Sequence, residues 1–418
     1  MILGTISINI VVAIINIVTS ILAARVLGAD GRGELALILL YPQAIATMGL
    51  LGVDRGLSLL SGSKEIMPSL KFVIFLSALI TIPVVVIIFY VVQSQISNNS
   101  LIELSLIYTA YVPALYVFMY SSAIFNGVGM FKQFNVSKFS FYISYLLVIL
   151  IFLQILDDFI MVFLYSNLLS SYIAAIISLI FLVKKEGGKN TKVSFYKNII
   201  LIFHKSKVYL IPGLLIILTT KVDLMVISDN LDVKYLGIFV VYLAYAHLLG
   251  PIEVAVNTHV LHHGINNSIE SAIFTIRVTA FILIVGSILL ALLAPFAIGL
   301  LYGSEYLQEI AVAQILAISA FFYFVSKNVN EYMIGKLLVR QDSISSLIFI
   351  VIFIFVSYAL MPWYQFSGIA IAMLLANIAR FLYIVITFNN RMQVRFSDFL
   401  IVDKNDMIRV FSSTRWFK

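Results

Sequence analysis

Long apolar runs broken by short polar intervals fill almost the whole chain. Twelve of them have spanning length, at 2–26, 35–60, 72–92, 102–124, 139–156, 159–183, 208–228, 235–261, 273–301, 310–333, 344–361 and 366–388. A hydrocarbon core about 30 Å thick takes about 20 apolar residues at helical rise. The runs are continuous rather than alternating with period two, which excludes a transmembrane β-barrel. The pattern predicts an all-α polytopic membrane protein, with twelve transmembrane helices in two six-helix bundles around a central cavity. With 62% hydrophobic and 11% charged residues, little is left to cover a water-facing domain.

Charge orients the bundle. With the N-terminus in the cytoplasm, cytoplasmic loops and tail hold 19 of the 27 Lys and Arg, and the outer loops hold only Arg25, Arg32 and Lys234. The reverse orientation would break the positive-inside tendency. An even number of crossings returns the C-terminus to the cytoplasm. The first run lacks a basic leader and a small-residue cleavage site, so it reads as a retained helix rather than a signal peptide. The net charge of +7 suits anionic headgroups rather than nucleic acid. With no cysteine, disulfides and thiolate metal ligation are excluded.

Five cations remain inside the runs, Arg55, Lys221, Arg277, Lys327 and Arg380, with the acids Asp54, Asp223, Glu253 and Glu331. A charge at bilayer depth costs about 2.5–3.5 kcal/mol, so such groups face water, a partner or both. Arg277 and Arg380 lie near cytoplasmic helix ends, from which they can also snorkel to headgroups. Lys327 and Glu331 are four apart and can pair along one helix face. Asp54 and Arg55 are adjacent and point in different directions. Lys221 is too deep to snorkel. It and Arg55 are the leading candidates for a charged, wet lumen.

Polar residues also fall in seams. Thr5, Asn9, Asn16 and Ser20 share one face of the first run. Tyr242, Glu253 and Asn257 line the eighth, and Tyr41, Met48 and Arg55 recur by seven in the second. Single seams also serve as interhelical hydrogen bonds. Several seams with an excess of buried cations point instead to a hydrophilic cavity, with Asn9, Asn16, Tyr242 and Asn257 as polar lining. The sign favours an anionic cargo such as a phosphate or pyrophosphate.

Residues 184–207 form a basic cytoplasmic linker with seven lysines and an amphipathic stretch from Phe195 to Phe203. It divides the chain into bundles at 1–183 and 208–388, followed by a cytoplasmic tail at 389–418. A shift of 204 superposes Gly33 on Gly237 and Tyr41 on Tyr245, and one of 206 superposes Gly129 on Gly335. Six plus six crossings in one orientation fit a parallel repeat that rocks around a central site. Pro42, Pro83, Pro113, Pro212, Pro251 and Pro295 lie inside the runs and supply bends.

The stretch Ala24-Arg25-Val26-Leu27-Gly28-Ala29-Asp30-Gly31-Arg32-Gly33-Glu34-Leu35 resembles the start of Wzx-type flippases for O-antigen and capsule repeat units. That family belongs to the multidrug/oligosaccharidyl-lipid/polysaccharide (MOP) exporter superfamily. Asp223-Leu224-Met225 and Leu236-Gly237-Ile238-Phe239 echo the stretch in the second half. Gly28, Gly31 and Gly33 permit a tight reversal between two helices. The chain departs from the family in lacking a basic amphipathic segment before the first helix. The resemblance implies flipping of undecaprenyl-pyrophosphate-linked oligosaccharide from the cytoplasmic to the periplasmic leaflet of the bacterial inner membrane. Arg55, Lys221, Arg277, Lys327 and Arg380 would counter the pyrophosphate. Asp54, Asp223 and Glu253 would carry coupling to H+ or Na+, and a polymerase and chain-length regulator would be partners.

Three rivals stand beside that reading. A multidrug exporter of the same superfamily would prefer an acidic lumen. A membrane-embedded polymerase or glycosyltransferase needs a catalytic loop, yet the longest outer loop, Val92 to Leu101, is about ten residues. A scaffold would not need cations in five spans. His259, His262 and His263 lack a carboxylate at ligand spacing, so neither metal nor cofactor is expected.

Overall fold

Glycine, proline and threonine decide where the apolar runs turn or break. The computed structural model describes residues 2–63, 65–66, 68–186, 195–336, 338 and 340–394. Residues 187–194 of the expected basic linker and the tail from 395 onward lie outside the described residues. The helices are α1 (Ile2–Met48), α2 (Val53–Gly62), α3 (Leu70–Gln95), α4 (Asn99–Tyr108), α5 (Tyr111–Gly127), α6 (Phe131–Phe152) and α7 (Phe159–Glu186). After the linker come α8 (Phe195–Thr219), α9 (Val222–Asn230), α10 (Val233–Ala246), α11 (Gly250–Ile265), α12 (Ile269–Leu301), α13 (Ile310–Gly335) and α14 (Arg340–Met392). The stretch from Phe195 to Phe203 is the start of α8 rather than a separate element.

Among the described residues ten helical stretches are long and apolar enough to cross a bilayer, and two of them, Ile8–Met48 and Arg340–Met392, double back. In α1 the reversal is Gly28 alone, at φ 65° and ψ −175°, a conformation glycine adopts without a Cβ clash. Ala23 and Leu35 then share one core cluster, although a straight helix would hold them about 18 Å apart. In α14 the non-helical residue is Gln365, beyond which Gly368 packs on the Leu360 backbone. Two doubled stretches and eight single ones make twelve crossings.

Among the described residues four crossings leave the α-helix in mid-course, the eighth only through a 3₁₀ turn at His247–Leu249. The second stops at Met48, turns through Gly49–Gly52 with Leu51 at φ 49°, and resumes as α2. The fourth divides at Thr109–Ala110, because Pro113 has no N–H to give the Thr109 carbonyl. The seventh ends at Thr219: Thr219 and Thr220 turn their hydroxyls onto the Ile216 and Ile217 carbonyls, and Lys221 N–H reaches back only to Leu218 O. Pro42, Pro83, Pro212 and Pro295 sit inside helices, whereas Pro113 and Pro251 lie in the first turns of α5 and α11.

The chain packs as two units, Met1–Ile238 and Phe239–Lys418. In the first, α1 meets α3, α4, α6 and α7, and α2 lies between α5 and α8. Ala23, Leu35, Ile149, Val162 and Phe163 form a core where the α1 turn meets the α6–α7 connection. Since lipid tails are as apolar as leucine, close backbone packing rather than transfer from water holds such contacts together. The tightest is reciprocal. A Cβ on Gly33 would overlap the Val233 carbonyl, and one on Gly237 would overlap the Ala29 carbonyl. Gly33 therefore serves helix packing, and the reversal needs only Gly28. In the second unit α13 is central, covered by α11, α12 and α14.

Candidate functional site

A cavity of about 560 Å³ opens inside the first unit, among residues of α1, α2, the α4–α5 break, α6, α7 and the start of α9. Its charged lining is Arg55, Lys138 and Lys221 against Asp54 alone. The broken crossings explain the charges. Arg55 stands exposed on α2, just past the Gly49–Gly52 turn, with Asp54 half-buried beside it. Lys221 is half-buried at the break of the seventh crossing, immediately before the first turn of α9. Its Nζ donates to Gln43 Oε1 at 3.3 Å. Lys138 donates to Asn9 Oδ1 at 3.0 Å, and Tyr142 on the next turn bonds Asn16. The seam expected along the first helix therefore meets α6 rather than forming a separate wall. The remaining lining is rich in aromatic rings and amides, among them Tyr108, Tyr111, Phe118, Asn126 and Asn167.

Two of the five expected cations, Arg55 and Lys221, come together here. Arg277, Lys327 and Arg380 belong to the second unit. Arg380 was expected to face a lumen. It is instead 2% exposed, 3.6 Å from Asp342 and stacked 5.7 Å over the Tyr323 ring. Burial without water requires such a partner. Lys327 lies in the electrostatic reach of Glu253, with Glu331 also nearby. Arg277 is half-buried on α12. Among the polar candidates, Asn257 donates to Glu253, while Tyr242 is fully buried and donates to the Tyr306 and Gln308 carbonyls at 2.6 and 3.0 Å. Tyr242 pins the short 3₁₀ turn before α13 and is not free to line a lumen. Asp223 is buried behind Lys221, accepting from Leu224 N at 2.9 Å, and does not line the cavity.

Sequence reasoning missed Lys138 because it began the fifth crossing at residue 139, whereas α6 begins at Phe131. The signal was available in the helical spacing of Phe134, Lys138, Phe141 and Tyr142, all of which line the cavity. The heptad seam of Tyr41, Met48 and Arg55 does not survive the Gly49–Gly52 turn. Tyr41 bonds Ser228 and Asp229, each at 3.2 Å, and the cavity takes Gln43 and Thr47 instead.

Twelve apolar crossings, with a basic, polar hollow inside one unit, define a multi-pass membrane protein. A solved structure titled lipid II flippase MurJ in an inward closed conformation superposes with a TM-score of 0.76 at 18% identity, covering 97% of this chain and 91% of that one. An inward-facing multidrug-resistance MATE transporter of the MOP superfamily gives 0.68 at 12% identity, over 93% and 99%. A MOP transporter from Pyrococcus furiosus, described as having a binding pocket of reversed polarity, gives 0.67 at 13%, over 93% and 95%. These likenesses show that the chain shares the fold of those three structures. No curated protein matches the sequence significantly. The family model described as polysaccharide biosynthesis protein matches residues 2–261, and the chain belongs to that family.

Proposed function

We propose that this protein flips undecaprenyl-pyrophosphate-linked oligosaccharide repeat units from the cytoplasmic to the periplasmic leaflet of the bacterial inner membrane, by alternating access and without catalysing a reaction. One observation carries the reading: three cations against one acid line a 560 Å³ cavity that also offers aromatic faces and amides. A diphosphate is met by charge-assisted hydrogen bonds from Arg and Lys, and a sugar by rings and amides. Membership of a polysaccharide biosynthesis family supports a sugar-bearing cargo, and the fold shared with a lipid II flippase supports a lipid-linked one. The cation excess disfavours cationic drugs.

In this reading the N-terminal bundle at 1–183 and the C-terminal bundle at 208–388 alternate about the 184–207 linker, and both termini lie in the cytoplasm. Arg55, Lys138 and Lys221 counter phosphate in the cavity. Asp54, Asp223 and Glu253 carry H+ or Na+ coupling, and an O-antigen or capsule polymerase with its chain-length regulator receives the product.

The test is complementation of a flippase-deficient strain. Arg55→Ala and Lys221→Ala each remove a charge-assisted contact of about 1.5–3 kcal/mol, a loss of tenfold or more in cargo affinity. Surface polysaccharide is expected to disappear while the protein remains in the membrane. Wild-type export by both variants overturns the assignment.

A further inference from the structure

Lys221 ends a directed chain of hydrogen bonds through four helical segments. Its Nζ donates to Gln43 Oε1 at 3.3 Å. Gln43 Nε2 donates to Tyr108 Oη at 3.2 Å, and Tyr108 donates to Asn167 Oδ1 at 2.7 Å. Asn167 is held in turn by Tyr145 on α6. The direction is forced from the charged end. An ammonium has three donors and no acceptor, so Gln43 must offer it oxygen. Its NH₂ group then faces Tyr108, whose single proton goes to Asn167.

Tyr108 is well placed for this task. It is the last residue of α4, where Pro113 interrupts the crossing, and it is fully buried. Its ring stacks on Tyr111 at 4.5 Å and 11°, and Tyr111 donates to the Pro42 carbonyl, one residue before Gln43. The ring therefore stays fixed even if its hydroxyl is removed. Lysine is the opposite kind of residue. Its four-carbon stem carries about 2 kcal/mol of rotamer entropy, so a loosely held ammonium sweeps a wide volume. One bond to a fixed amide confines it and leaves two donors for a ligand.

We propose that Gln43, Tyr108 and Asn167 form a positioning relay that aims the Lys221 ammonium into the cavity and thereby sets affinity for a diphosphate headgroup. The inference rests on the cargo reading above. Tyr108 and Gln43 act on the headgroup through Lys221.

The alternative is that these bonds merely join helices. A double-mutant cycle separates the two, because a positioning effect vanishes when the positioned group is gone. Undecaprenyl pyrophosphate without sugar is titrated onto full-length protein in nanodiscs of zwitterionic lipid. Four proteins are compared: wild type, Tyr108→Phe, Lys221→Met and the double variant. Lys221→Met is expected to weaken binding at least tenfold, the loss of one charged hydrogen bond. Tyr108→Phe is expected to weaken it about fivefold with Lys221 present and less than about twofold in the Lys221→Met background. Gln43→Met, which keeps the side-chain volume, is expected to repeat that pattern and carries the test if Tyr108→Phe does not assemble. If Tyr108→Phe and Gln43→Met weaken binding equally in both backgrounds, or leave it unchanged, the relay is overturned while the cargo reading stands. Wild-type affinity in Lys221→Met overturns the cargo reading at this residue.

Discussion

Arg380→Met should destabilise the protein sharply, and adding Asp342→Asn should restore most of the loss. Arg380 is 2% exposed, and its ionic partner is Asp342, 3.6 Å away with a side chain 7% exposed. At an effective dielectric of 20, unit charges at that distance attract by about 5 kcal/mol. Desolvation of both ions offsets most of that gain, so the intact pair contributes little net stability. Removing one member is different. Asp342 would keep a donor from Asn330 Nδ2 at 2.8 Å but would lose its counter-charge inside the bundle. Such an orphaned buried charge costs about 3–5 kcal/mol. In the double variant an amide replaces the carboxylate, its oxygen still accepts from Asn330, and no charge remains to desolvate. The double is therefore expected within about 1–2 kcal/mol of wild type. The assay is reversible unfolding in dodecylmaltoside micelles titrated with dodecyl sulfate, followed by circular dichroism. A single variant as stable as wild type, or a double no better than the single, refutes the reasoning.

Gly237→Val places a branched side chain against the Ala29 carbonyl and the Gly33 backbone, and should lower the same unfolding midpoint by at least about 1–3 kcal/mol; an unchanged midpoint would contradict the packing. Tyr242→Phe strips the Tyr306 and Gln308 carbonyls of a buried donor, with an expected loss of about 1–3 kcal/mol by the same measurement. A fluorescent protein fused after Lys418 should fold and emit, as a cytoplasmic C-terminus requires, whereas alkaline phosphatase at that position should stay inactive. The converse pair of signals would reverse the orientation.

The crossings were legible because apolar length is a strong signal at every position of a span. Breaks within them were less so. Pro113 marks the fourth break plainly, but the second depends on Leu51 taking a positive φ between Gly49 and Gly52, and the seventh on two threonines capping their own helix. Local sequence permits those breaks and tertiary packing selects them. The same limit governs the site. Arg55 and Lys221 stood out because no loop lay near them. Lys138 was hidden by a span boundary drawn eight residues late, at 139 rather than Phe131. Arg380 has the same residue type and a similar apolar setting, and its burial was set by Asp342, 38 positions away. The Gln43–Tyr108–Asn167 chain gives no sequence signal, since its members are 65 and 59 positions apart.

The glycine seat between the second and eighth crossings constrains how this chain can change over time. Its two halves of contact, Gly33 on Val233 and Gly237 on Ala29, are each mirrored by the other after a step of 204 positions. An interface that meets its own image in this way has self-complementary geometry, as two identical subunits do about a dyad. Neither glycine can gain a side chain without displacing backbone that belongs to the other's neighbourhood. Each position is held to glycine by backbone on the far side of the seat, so one steric demand acts on two distant stretches of gene.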